Sequence, residues 1–121
     1  MSSVAKFKKL GAVRKPRAPK KKTVAQLKKE LWAVFSPWIR ARDGGICFTC
    51  GAKVYGSNYQ AGHFLMKKNS GLVLYFHEDN CHGQCARCNI FLQGEQYQHG
   101  IKIGADKVAE LYSLIGQNPK D

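Results

Sequence analysis

Acidic residues are scarce in this chain: eight Asp and Glu stand against 20 Lys and Arg, and none of the eight falls among residues 1–29. Those 29 residues carry 11 Lys and Arg, whereas residues 30–121 carry nine against the eight acids, so the net charge of +12 divides as +11 and +1. The basicity therefore belongs to an appendage and not to the fold. Long apolar runs are missing too. No signal-type apolar stretch follows Met1 and no segment reaches transmembrane length, which excludes a membrane span and predicts a protein of the reducing cytoplasm, without disulfides. Internal repeats and coiled-coil heptads are absent as well, and 121 residues leave room for one compact domain plus a tail.

The tail, residues 1–22, contains Lys6, Lys8, Lys9, Arg14, Lys15, Arg17, Lys20, Lys21 and Lys22, interrupted by Pro16 and Pro19. Like charges at that density repel, and too few apolar residues accompany them to form a core, so the tail is expected to be disordered when free. A phosphate-binding arm that releases counterions from nucleic acid is the favoured reading over a solubilising tail or a membrane-surface anchor.

Residues 23–121 form the expected domain. Thr23 and Gln26 make a capping box, and Leu27, Leu31, Val34, Phe35 and Trp38 recur at helical spacing, which predicts a helix packed by that stripe on the rest of the domain. Pro37 predicts a kink or a new helix start, and Asp43-Gly44-Gly45 an end. Beyond it, Tyr59–Met66 and Leu72–Phe76 read as strands around a hairpin loop, Lys67-Lys68-Asn69-Ser70-Gly71. A short helix after Cys85, stopped at Gly94, and a last helix over Ala105–Ile115 complete an α+β fold.

Chemistry concentrates on the cysteines. Cys47-Phe48-Thr49-Cys50 and Cys85-Ala86-Arg87-Cys88 are two C-x-x-C pairs, and Gly51 suits the turn that aims backbone amides at the sulfurs of a zinc knuckle. Four thiolates make a closed tetrahedral zinc site, structural because no position is left for a substrate. A redox dithiol or buried free thiols are the competing readings; a redox protein needs only one such pair, at a helix start in a βαβ unit. Cys81 is left over, as a small core residue or as a replacement for one of the four in a variant site.

Within the cysteine frame stand His63, Asn80 and, directly after the last cysteine, Asn89. Singly, a strand histidine is most often a core residue and a turn asparagine a cap. As an ordered set inside two cysteine pairs they resemble the HNH, or ββα-metal, nucleases, in which a hairpin and a helix hold a histidine base, a central Asn and a metal ligand around one divalent cation. The resemblance implies a zinc-stabilised HNH-like core with flanking helices. It makes His63 the general base, Asn80 the residue that holds the loop so that the imidazole is aimed, and Asn89 the ligand of a catalytic Mg²⁺ or Mn²⁺. Where many members have His at the third position this chain has Asn89, and where many have an acidic ligand before the first His it has Gly62, so Asp79 or His82 is an auxiliary candidate. Arg87 is a candidate phosphate contact or a solvated surface residue.

Trp38-Ile39-Arg40-Ala41-Arg42-Asp43, Ala61-Gly62-His63-Phe64 and Glu78-Asp79-Asn80-Cys81-His82-Gly83-Gln84-Cys85-Ala86-Arg87-Cys88-Asn89 resemble the phage Rap/NinG recombination proteins over about Leu27–Ile115. That likeness implies a structure-selective endonuclease for branched recombination intermediates, Holliday junctions and D-loops, acting in the host cytoplasm. Absence of a recognition helix of defined code suits a protein that reads phosphate geometry. Cutting a four-way junction twice implies a homodimer, for which the sequence carries no interface signature. Rival readings are a non-catalytic zinc-knuckle DNA-binding protein and an RNA-binding zinc protein.

The arm is testable directly. Deleting residues 1–22 is expected to weaken binding to every DNA substrate and to make the salt dependence shallower, since released counterions track phosphate contacts. A salt slope unchanged by the deletion, in anisotropy titrations, would assign the tail another role.

Overall fold

A computed structural model describes residues 20–66 and 70–120. Lys6, Lys8, Lys9, Arg14, Lys15 and Arg17 of the basic tail, and residues 67–69 of the expected loop, lie outside the described residues.

Helix α1, Val24–Asp43, starts on the capping box: the Gln26 amide donates to Thr23 Oγ1 at 3.2 Å and the Thr23 amide to Gln26 Oε1 at 2.9 Å. Gly44 ends it in the left-handed region, φ 67°, with its N–H on Arg40 O. Pro37 neither splits nor restarts the helix; it and Ala33, whose carbonyl it leaves unpaired, are both exposed, so water can serve the carbonyl. The expected packing stripe is corrected: Leu27, Leu31, Val34 and Trp38 stay about half exposed or more, while Trp32, Phe35 and Ile39 form the buried face. Those three also stand at helical spacing, and of the two adjacent stripes the aromatic one meets the sheet.

The end of α1 is fastened by charge. Arg42 donates to the carbonyls of Glu78 and Cys81, both at 2.7 Å, and Asp43 Oδ2 accepts the Gly83 amide at 2.7 Å. Burial opposes ionisation of Asp43, but the Arg42 guanidinium and the Gly83 amide outweigh it and hold the carboxyl below its ordinary range.

The sheet has two antiparallel strands, β1 Tyr59–His63 and β2 Cys81–Cys85, in register from Tyr59↔Cys85 to His63↔Cys81. Here the sequence expectation fails on the second strand: Leu72–Tyr75 is a short helix, α2, and the pairing partner is Cys-His-Gly-Gln-Cys. A short apolar run is ambiguous between strand and buried helix, and Gly71 at φ 91° turns the chain so that Leu74 drops fully into the core. β1 also stops at His63, short of Met66, after which Phe64 N–H bonds Asn80 O and the chain leaves the sheet. The segment after Cys85 is a π-helical turn, Arg87–Phe91. Two further helices follow, α3 Gln96–Ile103, which the sequence did not predict, and α4 Ala105–Ser113, two residues shorter than expected. Leu111 of α4 joins Phe64, Leu65 and Leu74 in one apolar cluster, and Ile39, Ala61 and Cys81 form another between α1 and the sheet.

The four paired cysteines converge. Their sulfurs all lie within 4.8 Å of one another, with Cys50 and Cys85 at 3.8 Å; four sulfurs at a Zn–S distance of roughly 2.3 Å would sit about 3.8 Å apart in a tetrahedron. The first pair is a tight turn in which Gly51 N–H bonds Cys47 O at 2.8 Å and Gly51 adopts φ 79°. Burial disfavours the Cys47 thiolate, yet the Thr49 hydroxyl and the amides of Cys50, Cys85 and Thr49 outweigh it and bring the thiol down to about 6. Cys81, outside this cluster, is fully buried and pushed up to about 12 by burial, the behaviour of an inert core thiol. The cluster thus has the donor set and dimensions to hold zinc.

Cys88→Ser is therefore expected to lose bound zinc and cooperative unfolding together, whereas Cys81→Ala keeps the metal. Metal analysis of native protein that finds no stoichiometric zinc would overturn this.

Candidate active site

His63 closes β1 and turns its ring toward α1, stacked on Trp32 at 5.2 Å between ring centres and tilted against Tyr75 at 4.7 Å. Its Nε2 lies 2.9 Å from the Tyr75 carbonyl. A carbonyl only accepts, so Nε2 carries the proton and the neutral ring presents its lone pair at Nδ1. Burial lowers the imidazole pKa below its ordinary 6.5, more than the Tyr75 carbonyl raises it, with the Lys28 charge adding to the depression. Lys28 itself sits over the Tyr75 ring, 4.1 Å from its centre.

Asn80 is fully buried and every polar atom of its side chain is used. Oδ1 accepts the Leu65 amide at 2.8 Å, and Nδ2 donates to the carbonyls of Leu65 at 3.1 Å and Leu74 at 2.9 Å. It therefore ties the chain just after His63 to the turn that supplies the Tyr75 carbonyl. Asn80 precedes β2, where the sequence reading had it following the second strand.

Asn89 projects from the π-helical turn, and its Nδ2 donates to Gln60 Oε1 at 2.8 Å. That bond directs Oδ1 the other way, over Gly62, where it stands 2.7 Å from the position a Cβ would take. Gln84 Oε1 lies 1.9 Å from the same point and, though buried, has no hydrogen-bond partner among the described residues. The Gln84 amide nitrogen is occupied by Thr49 Oγ1 and Gly94 O. Any side chain at residue 62 would collide with both oxygens, which accounts for glycine there: two amide oxygens fill the space into which an acidic residue would project.

His63 and Asn89 line one cavity of about 470 Å³, with Trp32, Tyr75 and Gly94 among its other walls. Gln93, another wall, has φ 53°, and nearby Glu95 φ 49°, conformations that cost a non-glycine residue of order 1 kcal/mol. Strain of that kind is retained only where the surroundings enforce it.

The remaining sequence candidates lie elsewhere. His82 stacks on Phe48 at 3.8 Å, and its Nδ1 is 2.9 Å from Nε2 of His99; burial brings His82 down to about 4 and His99 to about 3. Asp79 lies 3.6 Å from Lys107, and its amide donates to His77. Arg87 is exposed on the π-helical turn, and Lys20, Lys21 and Lys22 are exposed ahead of α1, with Lys22 paired to Glu30 at 2.8 Å. Residues the sequence reading missed are Trp32, Tyr75, Gln84 and His99. Only Trp32 left a signal, its spacing of three and seven to Phe35 and Ile39.

Among the described residues no helix is long and apolar enough to cross a membrane. Searches of curated proteins and of solved structures returned no significant match. The family model described as the bacteriophage lambda NinG protein matches residues 4–118, nearly the whole chain. The fold described above therefore carries a known family signature along its length, and the chain belongs to the bacteriophage lambda NinG family.

Proposed function

We propose that this protein is a metal-dependent DNA endonuclease of the HNH type that hydrolyses phosphodiesters in branched recombination intermediates such as Holliday junctions and D-loops. NinG membership suggests a role connected with phage recombination. The observation that carries the catalytic reading is the shared cavity: a histidine with a fixed tautomer and an asparagine line one space large enough for a phosphodiester.

In this mechanism His63 Nδ1 accepts a proton from a water molecule as its oxygen attacks phosphorus and the bond to the leaving sugar oxygen breaks. The Tyr75 carbonyl holds the opposite nitrogen protonated, so the imidazolium that forms is stabilised where it is made. Asn80 acts as a positioning residue, fixing the backbone on both sides of the base. Asn89 Oδ1 would hold Mg²⁺ or Mn²⁺, a hard cation that polarises the scissile phosphate and the leaving oxygen when bound. As an amide oxygen, and not sulfur or imidazole, the Asn89 donor fits such an ion. Since no carboxylate lines the cavity among the described residues, water and substrate phosphate would supply the other oxygens around such an ion. Zinc in the four-cysteine cluster would be structural, its tetrahedron closed by protein sulfur.

Cleavage of a labelled four-way junction by zinc-loaded protein, with Mg²⁺ or with a chelator, tests the class. His63→Ala is expected to lose about 10²–10⁴-fold in rate with binding nearly intact, and to regain part of it at high pH as hydroxide replaces the base. Asn89→Ala should respond to excess Mg²⁺ or Mn²⁺ and not to pH. Because a lowered pKa keeps His63 neutral further into acid, the acid limb of the wild-type profile should fall below pH 6.5. Asn80→Ala removes three hydrogen bonds to buried backbone and should cost roughly 3 kcal/mol in denaturant unfolding. Wild-type cutting by His63→Ala would sink the HNH assignment, and binding without cutting would favour a zinc module for DNA, or for RNA if RNA competes better.

A further inference from the structure

Two arginines leave the last turns of α1 with different fates. Arg42 is consumed by the Glu78 and Cys81 carbonyls and by Asp43. Arg40 makes one long hydrogen bond, Nε to Ser36 O at 3.4 Å, and its two terminal nitrogens have no partner among the described residues. Arg40 is a half-buried residue whose fork is left open to solvent and to a ligand.

Arg40 lines a second cavity, about 380 Å³, together with Ser36, Ser57, Tyr59, Gln60 and Asn89. This cavity shares Trp32, Ala61 and Asn89 with the His63 cavity, so the two adjoin along the edge of β1 that β2 does not cover. Its chemistry suits an anion: one cation, two serines and two amide side chains, with no carboxylate in the lining among the described residues. Gln60 is the wall between them, donating to Ser57 O at 3.3 Å and accepting from Asn89 at 2.8 Å, so a group seated beside Arg40 also bears on the asparagine that faces the first cavity.

We propose that the second cavity seats a backbone phosphate of the same DNA strand, next to the scissile one, with Arg40 as its binding residue. The inference rests on the first cavity being the cleavage site. A strand laid along the β1 edge places one phosphate by His63 and a neighbour by Arg40, which fixes the direction in which the substrate enters. Arginine suits the role because its planar fork engages two phosphate oxygens at once.

Binding can be read without cutting. Full-length zinc-loaded protein is titrated in Ca²⁺ against a fluorescent four-way junction, with Arg40→Ala, Arg40→Lys and, as a charge control on α3, Lys102→Ala, each checked for zinc content and circular dichroism. Arg40→Ala is expected to weaken binding about 10-fold and to lower the salt slope by about one, as loss of one phosphate contact requires. Arg40→Lys should recover part of this and Lys102→Ala should stay within about 2-fold. A scan of single methylphosphonate linkages through the branch should find one position that weakens the wild type and leaves Arg40→Ala unaffected. Equal effects of Arg40→Ala and Lys102→Ala, or no such position, would overturn the proposal. Absence of cleavage by the wild type would instead count against the nuclease reading, since these titrations do not depend on it.

Discussion

Four sulfur atoms hold together what the hydrophobic core of this chain is too small to hold. Between Cys50 and Cys85 stand 34 residues, and all of them form a loop closed at the cluster. Both strands, α2 and two of the three candidate catalytic residues belong to that loop, and Asn89 is the first residue beyond it. Bringing the loop ends together costs chain entropy, and the buried apolar residues are divided among three small clusters. A metal bound by four thiolates supplies folding free energy that small separate clusters do not. With zinc in the cluster, formation of the candidate site and loading of the metal would be one event.

Inside that frame, buried polar side chains take over from backbone ladders. A two-stranded sheet satisfies few of its own groups, and the chain leaves it abruptly after His63. Asn80, Asp43 and Gln84 each reach across to backbone that has no strand to pair with. Each is held in one geometry by several bonds, so the polar network sets positions more narrowly than apolar contacts of the same area would. His63 inherits that precision twice, through Asn80 on its own segment and through the Tyr75 carbonyl on the facing one.

How much of this could be read from residues alone depends on whether the signal was local. Spacing identified the four cysteines, the capping box at Thr23 and Gln26 and the Gly44 stop, because each is decided within a few residues. His63 and Asn89 were legible as a pair only through their order within the cysteine frame. The second strand was not legible: Cys-His-Gly-Gln-Cys has no β-branched residue, and it becomes a strand because both of its ends are pinned, by the cluster and by Arg42. Leu72–Tyr75 looked like the better strand and is helical, with Leu74 buried against Phe64 and Leu65. The choice between two apolar stripes on α1 was likewise a tertiary matter, as was the meeting of Gln84 with Asn89 over Gly62.

The contact between α1 and the sheet is made by small residues, Ala61 and Cys81, under Ile39, Trp32 and Phe35. They act as a shim. Their size sets how deeply the helix beds onto the strands, and the helix carries the indole against which the imidazole is stacked and the guanidinium two turns further on. A methylene added or removed at residue 81, which touches no substrate in any reading of the site, would tilt that helix and alter the spacing between its two cavity-lining side chains and β1. The cysteine outside the four-sulfur cluster is in this sense a gauge block, set beneath the helix on the same face of the sheet as the imidazole.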